Sequence, residues 1–174
     1  AGLGLVLLPR QMECLWRVFP QTPPGLCAAL CAADWLDPGL RRQVEQSWDC
    51  LVLDHYGSTE SAFAGAVQCR CREGRHVRAL DLLLEIVHPV TGEVLPAGET
   101  GELVITTLQR RAMPLLRYRT GDMASLLDGP CACGSPLPRL GPVLGRIEYD
   151  GQRFRVTHPR KGGSEERRSC AITL

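Results

Sequence analysis

Leu51-Val52-Leu53 runs directly into the polar, turn-forming stretch Asp54-His55-Tyr56-Gly57-Ser58-Thr59-Glu60. The apolar triplet reads as part of a short buried strand, Cys50–Asp54, that delivers a loop. Gly57 lets the backbone approach a ligand closely. Thr59 offers a hydroxyl to a phosphate oxygen, and Glu60 offers a carboxylate to a hard cation such as Mg²⁺. The alternative is an ordinary strand-to-helix loop with Thr59 as the helix N-cap.

Upstream, strand and helix signals alternate. Leu3–Leu8 reads as a strand ended by Pro9. Met12, Leu15, Trp16 and Phe19 recur at helical spacing over Gln11–Phe19. Leu26–Leu30 follows a proline-rich turn and is expected to be a parallel strand buried on both faces. Asp37-Pro38 supplies an N-cap and a first-turn proline for a helix over Gly39–Trp48. Leu40, Val44 and Trp48 form its buried stripe, and Arg41, Arg42, Glu45 and Gln46 its solvated face. This alternation implies a parallel sheet with crossover helices. Ligands collect at the carboxyl ends of such strands, where Ala32-Ala33-Asp34 and Tyr56–Glu60 both lie.

Downstream the pattern changes to short strands and turns. Leu80–Val87 and Gly101–Leu108 are strand-like, with turns at His88–Glu93 and Leu95–Glu99. Together they suggest a small antiparallel sheet or barrel.

Composition excludes several classes. The net charge of the 174 residues is +1, so there is no basic field for nucleic acid. No apolar run reaches the roughly 20 residues of a membrane span. Ala1–Leu8 lacks a basic flank and is a poor signal peptide. A chain opening on Ala1 is expected to be processed or partial. The nine cysteines are irregularly spaced and odd in number, which favours reduced thiols in a cytoplasmic setting. Cys69, His76, Cys131 and Cys133 make a complete tetrahedral set for a structural Zn²⁺. Cys71 competes with His76, so a four-cysteine site of Cys69, Cys71, Cys131 and Cys133 is the alternative. Free surface cysteines and a loop histidine are the plain reading.

A second polar motif, Arg117-Tyr118-Arg119-Thr120-Gly121-Asp122, follows Gly101-Glu102-Leu103-Val104-Ile105-Thr106-Thr107. Alone, Asp122 reads as a turn residue and Arg119 as a surface ion-pair partner. In order with Tyr56-Gly57-Ser58-Thr59-Glu60, the motif makes the chain resemble the adenylate-forming (AMP-binding) superfamily. The resemblance is to its phenylacetate-CoA ligase-like and coenzyme F390 synthetase-like branch. It covers roughly residues 3 to 146 and is nearly continuous from Asp81. A peptide-synthetase-type adenylation domain fits less well, because Cys131-Ala132-Cys133-Gly134 suits the aryl-CoA ligase branch.

The resemblance implies an α/β fold: a partial parallel sheet with crossover helices, then a small antiparallel β-barrel-like region. It implies residues 1–66 as the α/β portion of the AMP-binding large domain. Residues 67–146 become a β-rich subdomain with the zinc site and the ribose-binding motif, and 147–174 a polar tail, disordered in part. Thr59 would contact phosphate and Glu60 would hold Mg²⁺. Tyr56 would pack on the adenine beside Gly57. The turn ending in Asp34 passes near the same ring, or is simply a strand end before a helix cap. Asp122 would accept hydrogen bonds from the ribose hydroxyls, and Arg146 would contact ribose or phosphate. The implied reaction joins a small carboxylic acid to CoA through an adenylate formed from ATP.

Other features of that superfamily have no counterpart here. No glycine- and hydroxyl-rich phosphate loop precedes Leu26. Ile147-Glu148-Tyr149 departs from the acidic hinge pair, and Lys161, the only lysine, lies in a flexible-looking run. The expectation is therefore part of such a ligase, weakly active or inactive alone, that dimerises, pairs with a complementing chain or aggregates. The alternative is a non-catalytic, zinc-stabilised binding or scaffold module derived from that fold.

Overall fold

The computed structural model describes residues 2–149, 154–157 and 170–171. They form β1 (Leu3–Leu7), α1 (Pro9–Val18), β2 (Leu26–Cys31), α2 (Pro38–Trp48), β3 (Leu51–Ser58), β4 (Ala62–Gln68) and β5 (Arg75–Val77). There follow β6 (Leu82–Val87), β7 (Gly101–Thr107), β8 (Tyr118–Ala124), β9 (Leu126–Leu127), β10 (Arg139–Leu140), β11 (Gly145–Tyr149), β12 (Phe154–Thr157) and β13 (Cys170–Ala171). One sheet has the order β1-β2-β3-β4-β5-β10-β9, the other β13-β12-β11-β8-β7-β6. β1, β2 and β3 are parallel, and the remaining pairs are antiparallel. This is the α/β architecture expected from the sequence.

The start of α2 is written locally. Asp37 Oδ1 accepts from the N–H groups of Gly39 and Leu40 at 2.8 and 2.9 Å, satisfying donors that a helix start leaves open. Val44 and Trp48 are fully buried with Met12 and Val52 in a first core. Each such side chain contributes about 1.5–3 kcal/mol by leaving water. The indoles are also paired: Trp16 Nε1 donates to Ser47 Oγ and Trp48 Nε1 to the Phe19 carbonyl.

Two expectations about this half are corrected. The face of α2 expected to be solvated is not wholly so: Arg41 donates to Val52 O and Gln68 Oε1, and Glu45 accepts from Val52 N–H. The reason lies in β3. Its first half pairs with β2, and β4 joins only from His55 onward. The outward main-chain groups of Val52 and Asp54 therefore need side-chain partners. Arg41, Glu45 and Gln68, which also accepts from Asp54 N–H, supply them. β2 is not buried on both faces, because α1 and α2 pack together on one side. Cys27 is exposed, and Ala28 and Leu30 are half-buried.

β3 also outruns the expected strand. It continues through His55, Tyr56, Gly57 and Ser58, where β4 pairs with it in the register His55↔Val67, Tyr56↔Ala66 and Ser58↔Ala62. Gly57 is thus a strand residue rather than part of a turn. The connection is a hairpin, so Thr59 caps no helix. Ser58 and Ser61 close it reciprocally, each N–H reaching the other's Oγ at 2.8 and 3.2 Å.

A second core gathers Leu103, Ile105 and Leu140 with Ala66, Val77, Leu84 and Ile86. It draws on both sheets. The expected divisions after residues 66 and 146 fall inside β4 and β11. β11 runs on to Tyr149 and pairs antiparallel with β12, Ile147 opposite Val156, so sheet pairing extends into the expected polar tail. His158–Ser169, including Lys161, lies outside the described residues. No helix among the described residues is long and apolar enough to cross a membrane.

Candidate functional site

The two polar motifs meet where β3, β8 and β11 converge. Asp122 on β8 stands opposite Arg146 on β11. Gly121, at φ 78°, occupies a region that suits glycine. The β7–β8 ladder slips at the same place, between Glu102 and Val104, as a bulge does when it re-aims a side chain. Asp122 then accepts from the Tyr56 hydroxyl at 2.7 Å and meets Arg146 Nε at 3.2 Å. Arg146 Nη2 also donates to Thr120 O at 2.8 Å. Burial first, then the Asp122 charge, pushes the Tyr56 hydroxyl well above its ordinary range. Tyr56 therefore remains a donor and Asp122 its acceptor. A carboxylate has about four lone-pair positions, so Asp122 keeps acceptor capacity beside these two partners.

Thr59 and Glu60 form the hairpin tip above this cluster in sequence. Thr59 is exposed, and its carbonyl accepts from Arg110 Nη2 at 3.0 Å. The Tyr118 hydroxyl reaches Glu60 Oε1 at 3.4 Å. The Glu60 backbone N–H, then Ser58, holds this carboxyl below its usual range. An ionised carboxylate open to solvent fits one ligand position of Mg²⁺, which keeps waters or phosphate oxygens in the others.

Asp34 makes its hydrogen bond locally. It is exposed beyond β2, and its carboxylate accepts from Trp35 N–H at 2.7 Å, with Ala33 at φ 64°. Arg119 is the ion-pair partner that its residue type suggests, but its partner Glu102 is buried. Sequence reading missed the contacts of Arg110 and Tyr118. Tyr118 lies in a motif and was available to it. Arg110 lies 51 residues from Thr59 and carried no local signal.

The second cluster joins the end of β4, β5 and the connection between β9 and β10. The ligand atoms of Cys69, His76, Cys131 and Cys133 all lie within 4.8 Å of one another. Cys69 Sγ and Cys131 Sγ are 3.7 Å apart, and Cys133 Sγ and His76 Nε2 3.3 Å. A disulfide would need about 2.05 Å. Two sulfurs at tetrahedral corners around Zn²⁺ lie about 3.8 Å apart, and a sulfur and a nitrogen about 3.6 Å. The donor set therefore fits Zn²⁺.

Both cysteine turns have the same construction. Arg72 N–H bonds Cys69 O at 3.0 Å and Gly134 N–H bonds Cys131 O at 2.9 Å. Arg72 and Gly134 both have positive φ, 61° and 82°. Burial opposes ionisation of Cys69, but the Cys71 N–H and the side chains of His76, Cys131 and Cys133 bring it down to about 6. The Cys71 thiol is pushed up to about 11, by desolvation first and then by the neighbouring sulfurs. His76 is the fourth residue of this cluster of donor atoms. Arg139 packs beneath it, 6% exposed. Its guanidinium donates to the carbonyls of Glu73, Asp128 and Gly129 at 2.9–3.0 Å, holding the turn just ahead of Cys131.

A family model described as AMP-binding enzyme matches residues 5–109. The chain belongs to the AMP-binding enzyme family. Among curated members, it is 42% identical over 124 residues to the phenylacetate-coenzyme A ligase of Thermus thermophilus, covering 70% of this chain and 27% of that protein. It is 42% identical over 119 residues to that of Pseudomonas putida, covering 67% and 26%. This AMP-binding family chain thus matches about a quarter of the length of those relatives. An open conformation of 2-hydroxyisobutyryl-CoA ligase, in complex with 2-HIB-AMP and CoA, superposes with a TM-score of 0.75 at 21% identity, covering 87% of this chain and 36% of that one. A benzoate CoA ligase from Burkholderia xenovorans gives 0.58 at 20% identity, covering 82% and 31%. Those likenesses establish the adenylate-forming fold.

Proposed function

We propose that this chain is part of an ATP-dependent acid–CoA ligase that adenylates a small carboxylic acid and passes the acyl group to CoA. The observation that carries this reading is the Tyr56–Asp122 hydrogen bond of 2.7 Å, with Arg146 against the same carboxylate. It joins two motifs far apart in sequence into one polar cluster. The phenylacetate-CoA ligase relatives support the same chemistry.

In this reading Asp122 accepts the ribose hydroxyls, with Arg146 beside it against ribose or phosphate. Tyr56 and Gly57 border the adenine together with the turn at Asp34. Thr59 donates to phosphate and Glu60 holds Mg²⁺, which offsets charge on the phosphate oxygens. A substrate carboxylate oxygen attacks the α-phosphorus of ATP, and the bond to the β-phosphate oxygen breaks, releasing pyrophosphate. The CoA thiol then loses its proton to solvent and attacks the acyl carbon, and AMP leaves with the bonding pair. Cys69, His76, Cys131 and Cys133 hold a structural Zn²⁺, and the setting is cytoplasmic. The proposed division is an α/β part over 1–66, a zinc- and ribose-binding part over 67–146, and a tail over 147–174.

The test is calorimetric titration of the purified chain with Mg-ATP, alongside its metal content. Wild type is expected to bind. Asp122→Ala is expected to weaken binding about 10–100-fold, as for loss of a charge-assisted hydrogen bond. Metal uptake without any nucleotide binding would instead favour a zinc-stabilised scaffold module.

A further inference from the structure

One ion pair lies between the two clusters and belongs to neither. Arg75, the first residue of β5, pairs with Asp54 of β3, and its Nη1 donates to Gly141 O at 3.0 Å. The two side chains are only 15% and 13% exposed. Arg75 immediately precedes His76. Asp54 is two residues ahead of Tyr56 on the same strand. Gly141 opens the segment that leads to Arg146, and its own N–H bonds Ser125 O beside β8 at 2.8 Å. One guanidinium therefore touches the strand of Tyr56, the strand of His76 and the approach to Arg146.

Desolvation of a buried ion pair offsets much of its attraction, so stability alone is a weak reason for this one. Among the described residues, Arg75 Nε is buried without a hydrogen-bond partner, and the guanidinium hydrogen bonds through its two terminal nitrogens to Asp54 and Gly141. We propose that Arg75 is a positioning residue that couples metal occupancy of the cysteine–histidine cluster to nucleotide binding. Metal on His76 fixes β5. Arg75 then holds Asp54 and Gly141 at the spacing that lets Tyr56 and Arg146 both meet Asp122. This inference rests on the nucleotide and zinc readings above.

The experiment measures Mg-ATP affinity by calorimetry on zinc-loaded and zinc-stripped chain. Wild type, Arg75→Gln and Arg75→Lys are compared, with metal content and circular dichroism in parallel. Stripping should weaken wild-type ATP binding at least about 5-fold, the low end of coupling between sites. Zinc-loaded Arg75→Gln should keep its metal, bind ATP as weakly as stripped wild type, and no longer respond to stripping. Arg75→Lys should regain part of the response. If Arg75→Gln does not fold, Asp54→Asn, which keeps the carboxylate's shape, should show the same loss. If stripping unfolds wild type, the zinc-loaded variants alone decide. ATP binding that is indifferent to both zinc and Arg75 overturns this inference and leaves the nucleotide reading standing. Zinc-loaded wild type that binds no ATP overturns both, and so does a chain that takes up no metal for the coupling.

Discussion

Tyr56, Asp122 and Arg146 meet on three strands, whereas Cys69, Cys131 and Cys133 lie at strand ends and turns, with only His76 inside a strand. In the first cluster the ladders fix every Cα, and the side chains already hold one another through a hydroxyl–carboxylate bond and an ion pair. In the second, three sulfurs and an imidazole nitrogen lie within 4.8 Å of one another, a spacing suited to a shared ion. A site carried on strands is preorganised by main-chain bonding. A site carried on turns depends on what it binds and on supports such as Arg139. The two should therefore fail differently.

The largest effect should come from Cys131→Ser. Cys131 is buried, and three ligands hold Zn²⁺ far more weakly than four. Metal content by plasma mass spectrometry should fall from about one per chain to below about a tenth, with Mg-ATP affinity falling as a secondary effect. Retention of full metal would place the ligands elsewhere. Next, Arg139→Gln removes the clasp on the carbonyls of Asp128 and Gly129 without touching a ligand. Metal affinity, read by competition with a chromophoric chelator, should drop about 10–100-fold, as for other groups that orient ligands.

On the strand-borne side, Tyr56→Phe deletes only the hydroxyl. The loss of one hydrogen bond is worth about 1 kcal/mol, so ATP affinity should weaken roughly 5-fold with metal content unchanged. A simultaneous loss of metal would show that the Tyr56 hydroxyl itself supports the cysteine–histidine cluster.

The smallest effect concerns Glu60. Its folded-state pKa is held below the ordinary glutamate range by its own backbone N–H and by Ser58. Its contribution to stability is thus full above about pH 4.5 and lost as pH falls through the lower folded value. Solvent exposure screens it, so Glu60→Gln should barely alter the acid limb of a melting series. Carboxyl NMR should still show Glu60 titrating below 4.5. A titration above that value would mean that its backbone N–H and Ser58 do not hold it in solution.

How much of this was legible beforehand varies residue by residue. Asp37 and Pro38 announce α2 because a cap is satisfied within three residues. Tyr56, Glu60, Asp122 and the four clustered cysteine and histidine donors could be named from residue type and order. Cys71 and His76 could not be separated, because both cysteine turns have the same local form. β5 brings His76 into the cluster by pairing it with Val67 on one side and Arg139 on the other.

The sequence by itself determined the alternation of strand and helix, the α2 cap, the polar motifs and the candidate donors, since each depends on neighbours a few residues away. Only the tertiary structure decided that β3 runs through Gly57, that Arg41 and Glu45 close its outward edge, and that Arg139 braces the turn ahead of Cys131. It also decided that Tyr56 bonds Asp122 across 66 residues. Those outcomes depend on which strand lies beside which, and on buried main-chain groups that must find partners wherever the fold places them.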